Sequence, residues 1–483
     1  MSMARIEHAK TQNPQIATLT FWGGVGTVTG SKYLIETKNS KVLIDCGLFQ
    51  GLKELRDRNW QAPLFDPTTI DAVVLTHAHT DHVGYLPALV KNGFKGMVYC
   101  TRATGELARI ILEDSAELQE EEADWRNKKG LTEHKPAVPL YDRTDVKRTM
   151  KLFQPQKAGT EGFQVTSDIR VQWWPAGHML GARSLRVEVS GAGALGQQRS
   201  ILFSGDVGRC NQPVLRDPVT PPPADYVLVE STYGDRLHED EDPRQQLAEV
   251  IKDAHERDAP VLIPAFSVGR TQDILYHIRE LEDAGEIPIV PVRADSPMAA
   301  EATQAYLKMV EEHDDDTREI TAARRNPLRT KSMGFSSSRE ESRRLNEETG
   351  ARVIVSASGM MTGGRVMHHA RQMVSNPEAT ICFVGFQAAG TTGRRILDGE
   401  PEIKIFKEWF PVRCRIKKIG GFSAHADYNE LLTWLAPLAR NAPRHVYIIH
   451  GEPEAALAMQ GHITERFGWN VTVPAYGDVI ELR

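Results

Sequence analysis

Short apolar runs that stop abruptly at a polar residue recur along this chain. Ala72-Val73-Val74-Leu75 stops at Thr76-His77, and Val42-Leu43-Ile44 stops at Asp45. Ile201-Leu202-Phe203 runs into Ser204-Gly205-Asp206, Tyr226 to Val229 into Glu230, and Val446 to Ile449 into His450. Runs of this length predict buried strands rather than helices. Further strands are expected at Ala17–Trp22, Tyr33–Glu36 and Val171–Trp174, the last leading through Gly177 to His178. Gly23 to Gly30 reads as a tight turn; it lacks the Lys-Ser/Thr ending of a phosphate-binding loop and the spacing of a dinucleotide fingerprint. Thr104–Asn127 has a helical pattern with an acidic face at Glu113–Glu122, and Asp142–Phe153 is a second amphipathic segment.

Beyond the proline-rich stretch Pro218–Pro223 and the strand ending at Glu230, the rhythm changes. Helices are expected at Pro243–Arg257, Gly269–Glu282, Met298–Glu312, Arg339–Glu348 and Met367–Val374. Strands are expected between them at Pro260–Pro264, Ile287–Val292, Ala351–Val355 and Ala379–Val384. Ser337 or Ser338 with Glu340 or Glu341 forms a capping box for the fourth helix. Such alternation predicts a largely parallel sheet flanked by helices, an inserted domain of its own.

Composition places the chain among ordinary globular proteins: 483 residues, 41% hydrophobic, 25% charged. A formal net charge of −6 argues against a surface that coats nucleic acid everywhere, while leaving room for a local basic groove. Arg324, Arg325, Arg329, Lys331, Arg339, Arg343, Arg344, Arg365, Arg371, Arg394 and Arg395 are expected to form one. The five cysteines share no redox or metal-finger spacing and read as free thiols in a reducing compartment. Met1–Gln15 is polar, without a signal-peptide core, and no run has the length of a membrane span. A cytoplasmic protein is expected.

The chemistry concentrates in Thr76-His77-Ala78-His79-Thr80-Asp81-His82. Three imidazoles and a carboxylate at the end of one strand, with no thiolate, suit Zn²⁺ in a site left open to water, with Mn²⁺ or Fe as substitutes. His178, Asp206, His425 and His450 follow in glycine-bordered loops or at strand ends, and Asp206 can give one oxygen to each of two cations. Asp45 reads as a turn residue or as a group orienting a ligand. Small-residue loops at Ala265–Arg270 and Ser356–Arg365 favour anions at helix starts, with Arg270, Ser358, Arg365 and Ser423 as phosphate contacts. His134 is assigned no function.

The cluster at 76–82 resembles the signature of the metallo-β-lactamase superfamily. Asp45, that cluster, His178 and Asp206 stand in the superfamily's order, and Glu230, His425 and His450 extend the resemblance to the β-CASP group of nucleases from about Thr18 onward. That group includes the cleavage and polyadenylation endonuclease subunit, its archaeal relatives, ribonuclease J and stand-alone bacterial members. The resemblance implies an α/β fold: a metallo-β-lactamase αββα sandwich at 1–235 and 416–483 with a β-CASP insert at 236–415. It implies two Zn²⁺ per chain, one on His77, His79 and His178, the other on Asp81, His82 and His450, bridged by Asp206. Asp45 and Asp81 would orient the site, and His425 with Glu230 would protonate the leaving 3′ oxygen. The implied activity is endonucleolytic or 5′-exonucleolytic hydrolysis of single-stranded RNA in processing or decay, leaving 5′ phosphate and 3′ hydroxyl. The group often dimerises, so a homodimer is an open expectation. With no region for KH domains before the sandwich and no long domain after His450, a compact bacterial-type member is expected. His450 favours RNA over DNA. The alternatives are a DNA nuclease of the same group, a hydrolase of small thioesters or lactones, and a non-catalytic RNA-binding scaffold.

Overall fold

The computed structural model describes residues 16–483 except 131–135, 158, 194–195, 239–240, 337, 386 and 388–389. The expectations for Met1–Gln15, His134 and Ser337 fall outside the described residues.

Two seven-stranded sheets form the body of the molecule. The first runs in the order Val479–Glu481, Thr18–Phe21, Tyr33–Glu36, Lys41–Ile44, Ala72–Val74, Met97–Thr101, Phe153–Gln156. The second runs Val471–Thr472, His445–Ile449, Tyr226–Glu230, Arg199–Phe203, Arg183–Val189, Ile169–Pro175, Phe163–Gln164. Alternate side chains explain the unbroken apolar runs. Tyr33, Ile35, Val42, Ile44 and Val74 meet Trp173, Leu185, Val187, Phe203 and Leu228 between the sheets. Leu34, Leu43 and Val73 turn outward onto Leu86–Lys91 and the long helix Arg102–Lys129. Leu202, Val227, Val229 and Ile448 turn outward onto Tyr428–Leu435 and Pro453–Phe467. With both faces covered, a polar residue inside these strands would lose its hydration, and each buried aliphatic side chain contributes about 1.5–3 kcal/mol. This is the αββα sandwich.

The insert is a six-stranded, wholly parallel sheet: Met333–Phe335, Val292–Asp295, Arg352–Ser356, Pro260–Pro264, Thr380–Phe383, Arg415–Lys418. Pro243–Glu256 and Arg270–Asp283 cover one face, Arg365–Met373 and Thr392–Leu397 the other. Ser338 and Glu341 cap Arg339–Leu345 reciprocally. The strand expected at Ile287–Val292 lies further on, at Val292–Asp295. Pro288 and Pro291 lack the N–H that a ladder needs. The boundary expected after 415 falls inside a strand, because Arg415–Lys418 pairs with Thr380–Phe383. The insert's sheet therefore ends at Lys418, and the chain re-enters the sandwich through 419–427.

Insert and sandwich share a core. Tyr306, Ala302 and Met309 of the insert pack with Leu180, Ala103 and Leu107 of the sandwich. Arg183 donates to both carboxylate oxygens of Glu312 at 2.7 and 2.8 Å, and each residue is only 7% exposed. The Tyr306 hydroxyl accepts from the Leu180 N–H at 3.3 Å, two residues beyond His178.

Candidate metal centre

Strands 41–44 and 72–74 are parallel, as are 199–203, 226–230 and 445–449. Their carboxyl ends deliver Asp45, the 76–82 loop, Asp206, Glu230 and His450 to one edge of the sandwich. His178 arrives from the loop after Ile169–Pro175, on the same edge. Two turns are held in the left-handed region without glycine: Asp45 at φ 57° and His450 at φ 49°. Such conformations cost about 1–3 kcal/mol and persist where surrounding contacts fix them. The Asp45 N–H donates to Val74 O at 3.0 Å, and the His450 N–H to Gly24 O at 2.7 Å. Gly47 is needed for close approach, since a Cβ there would lie 1.5 Å from Asp81 O.

The side chains converge on Asp206. Its Oδ2 lies 3.4 Å from His77 Nε2 and 3.5 Å from His178 Nε2; its Oδ1 lies 3.3 Å from His82 Nε2. His79 Nδ1 and His178 Nε2 are 3.0 Å apart, and His82 Nε2 and His450 Nε2 3.2 Å. Asp81 Oδ2 is 3.1 Å from His450 Nε2. Donor atoms about 3.3 Å apart are what four ligands about 2.0 Å from one cation present to each other. Among the described residues, His77 Nε2 and Asp206 Oδ1 are buried without a hydrogen-bond partner, which is costly for a nitrogen lone pair and a carboxylate unless a cation meets them. The donor set fits a divalent metal.

Electrostatics agree. Burial is the main cause that pushes His77 down to about 3 and His79 down to about 4, and it lowers His178 as well, leaving neutral imidazoles suited to coordination. Burial also opposes charge on His82, but Asp206, Asp45 and Asp81 outweigh it and raise its pKa. Asp45 accepts from the Thr76 N–H at 2.8 Å and Thr76 Oγ1 at 2.7 Å, and sits 2.7 Å from His82 Nδ1. A proton on Nδ1 leaves Nε2 free to face the centre.

His425 adjoins this group. Its Nδ1 is 3.1 Å from Glu230 Oε2 and 4.0 Å from Asp206 Oδ2. Burial works against its charged form, yet Glu230 first, then Asp206 and Asp81, raise it to about 9. Glu230 is fully buried and accepts from the Val207 N–H at 2.6 Å. The His425 loop is pinned through Ala424 O, 3.1 Å from His178 Nδ1, and through the Ala426 N–H, which donates to Val207 O at 2.8 Å.

Three family descriptions match successive parts of the chain: the metallo-beta-lactamase superfamily over residues 25–157, the Beta-Casp domain over 271–396, and the Zn-dependent metallo-hydrolase RNA specificity domain over 409–474. The chain is 35% identical over 459 residues to ribonuclease TTHA0252 of Thermus thermophilus, covering 95% of this chain and 98% of that one. This chain belongs to the β-CASP family of the metallo-β-lactamase fold. An RNase J-like protein of Methanocaldococcus jannaschii is 30% identical over 470 residues, covering 96% of this chain and 99% of that one. The transcription termination factor FttA of the same organism is 30% identical over 475 residues, covering 96% and 72%. A crystal structure of a protein of unknown function from Enterococcus faecalis shares the fold, with a TM-score of 0.52, 14% identity, and 96% and 100% coverage.

Within this β-CASP chain the four phosphate contacts expected from sequence are differently placed. Arg270 is buried and paired with Asp273 at 2.8 Å. Arg365 donates to Asp295 Oδ1 at 2.8 Å and Ser336 O at 2.9 Å, in a network where His369 and Ser342 hold Asp295 Oδ2. Ser358 meets Thr362 Oγ1 at 3.0 Å in the loop after Arg352–Ser356. Ser423 turns its hydroxyl toward the His425 N–H at 3.3 Å. Much of the basic run is paired too: Arg325 with Asp283, Arg339 with Glu121, Arg371 with Glu408, Arg394 with Asp398, Arg395 with Glu400.

Two neighbours of the centre escaped the sequence reading. Thr232 Oγ1 sits 3.1 Å from His450 Nδ1. His238 donates through Nε2 to His425 O at 2.9 Å, and its N–H donates to Asp427 Oδ2 at 3.0 Å. His238 follows a polar loop and carries no periodic signal. Only its distance of eight residues from Glu230 hinted at a shared edge.

Proposed function

We propose that this β-CASP protein is a two-zinc ribonuclease that hydrolyses phosphodiester bonds of single-stranded RNA. The observation carrying the proposal is the meeting of two donor groups on the one carboxylate Asp206, with the His425–Glu230 pair beside it. His77, His79 and His178 would hold one cation and Asp81, His82 and His450 the other, with Asp206 between. Bound there, such cations lower the pKa of water and neutralise charge developing on a phosphate.

The protein's own residues do the rest. Asp45 fixes the His82 tautomer, and Thr232 does the same for His450. His425, held cationic by Glu230, stands ready to give its proton to the departing 3′ oxygen, which leaves 5′ phosphate and 3′ hydroxyl ends. The ribonuclease and RNase J-like names of the relatives support RNA as substrate. An insert roofing the site supports a polymer over a small thioester, and the filled donor set supports an enzyme over a scaffold. Cytoplasmic residence and pairing of two copies belong to the same proposal; among the described residues no helix is long and apolar enough to cross a membrane.

The test uses purified protein with RNA labelled at the 5′ or the 3′ end, and DNA of the same sequence beside it. Cleavage of RNA alone, lost with a chelator and restored by Zn²⁺, is expected. Internal fragments mark endonucleolytic cutting; mononucleotides from the 5′ end mark the exonuclease. Intact RNA with an accessible metal-loaded site overturns the reading.

A further inference from the structure

We propose that Phe266 is a stacking platform for an unpaired nucleobase of the RNA strand, a specificity element of the insert; the inference rests on the ribonuclease reading. From Ala259 to Gln272 every residue is buried or half-buried except Phe266, whose surface is 45% exposed. Single exposed apolar side chains are common on protein surfaces, so its place must carry the argument.

That place is set by the parallel sheet. All six insert strands point the same way, so their following loops gather on one edge. The strand Arg415–Lys418 leads from that edge, within seven residues, to His425. Phe266 lies in the loop after Pro260–Pro264, two strands from Arg415–Lys418. Ligands of parallel α/β sheets bind at such carboxyl edges. The same loop is docked toward the centre at two points. Arg270 lies over Phe422, 5.8 Å from the ring centroid, and the Tyr306 hydroxyl that holds the His178 loop lies 3.8 Å from where a Cβ on Gly269 would sit.

The ring has a backing. A Cβ on Gly359 would come within 3.2 Å of the Phe266 ring, so the ring rests against glycine backbone in the 357–364 loop. The loop that backs it also carries the small polar Ser358 and the exposed Thr362, whose hydroxyls lie 3.0 Å apart. An aromatic ring backed by main chain and exposed on its outer part matches a base flattened out of a single strand. Such stacking tolerates any base and needs no hydrogen-bond readout.

The test compares wild type with Phe266→Ala, Phe266→Leu and Phe266→Trp on single-stranded RNA, and on a series carrying one abasic nucleotide walked across the cleavage site. F266A and F266L should raise KM five- to a hundredfold with zinc content unchanged, and F266W should restore it. At one abasic position wild type should lose the same factor while F266A loses nothing more. F266L matching wild type, or every abasic substrate penalising F266A as much as wild type, overturns the platform. Wild type inert on RNA overturns the ribonuclease reading instead, so the two failures are separable.

Discussion

His238 Nε2 lies 2.9 Å from the main-chain oxygen of His425 and can reach it only as a donor. The ring of Tyr233 packs on His238 with centroids 4.8 Å apart, fixing the donor in turn. His238 thus positions the loop that carries His425, the proton donor of the proposed mechanism. His238→Ala is expected to lower kcat about 10- to 100-fold while zinc content stays at the wild-type level, since a misplaced acid costs rate before it costs binding. His238→Gln, whose amide can still donate, should recover part of the loss. Equal kcat in H238A and wild type would remove the residue from the positioning network.

His425 and Asp206 should separate in their effects. His425→Ala removes the acid and should lower turnover about 10²- to 10⁴-fold with metal retained. Asp206→Ala removes the carboxylate both donor groups face and should lose metal and activity together. Mass spectrometry of the native proteins reads the first quantity and an RNA assay the second. Metal-free H425A would place His425 among the ligands.

The Arg183–Glu312 pair joins sandwich to insert inside a buried contact. Glu312→Ala leaves a buried guanidinium without its carboxylate. It is expected to destabilise the fold by about 3–5 kcal/mol, seen as a fall in Tm, whereas truncating an exposed pair such as Arg126–Glu122 should cost under about 1 kcal/mol. Similar Tm values for the two variants would show that the latch does not bind the domains.

Asp114 predicts a pH dependence. Burial first, then Glu117, Glu301 and Glu121, push its carboxyl up to about 6. A carboxyl raised in the native state favours folding in its protonated form. That contribution is present below its unfolded pKa of about 4 and is lost as pH climbs through 6. Asp114→Asn should therefore stabilise the protein by about 2 kcal/mol at pH 8 relative to its effect at pH 4, by denaturant titration at both. A pH-independent difference would mean that Asp114 ionises normally.

What was legible in the sequence follows from burial. Strands covered on both faces must be apolar to their ends, so the polar residues just after each stand out. Asp45, His77, Asp206, Glu230 and His450 were all visible that way. The strand Arg415–Lys418 was not: it lies at the rim of its sheet with only Ile416 half-buried, so no apolar run marks it. The hairpin Glu402–Ile405 with Glu408–Pro411 was missed as well: the alternation of exposed and buried positions in the first strand covers only four residues, and the second, with Trp409 exposed, shows none. Arg270 and Arg365 were read as anion contacts from their loops. Their carboxylate partners Asp273 and Asp295 declare themselves only in three dimensions.

The seam between the domains has a mechanical corollary. From Lys418 the chain spans a few residues to His425, then caps the helix Tyr428–Leu435 through Asp427. One end of this bridge is clamped to the insert and the other to the sandwich. An outward pull on the insert would fall first on residues 419–423, because Ala424 and Ala426 tie the His425 loop to His178 and Val207 of the sandwich. The imidazole would keep its place beside Glu230 until those two bonds broke.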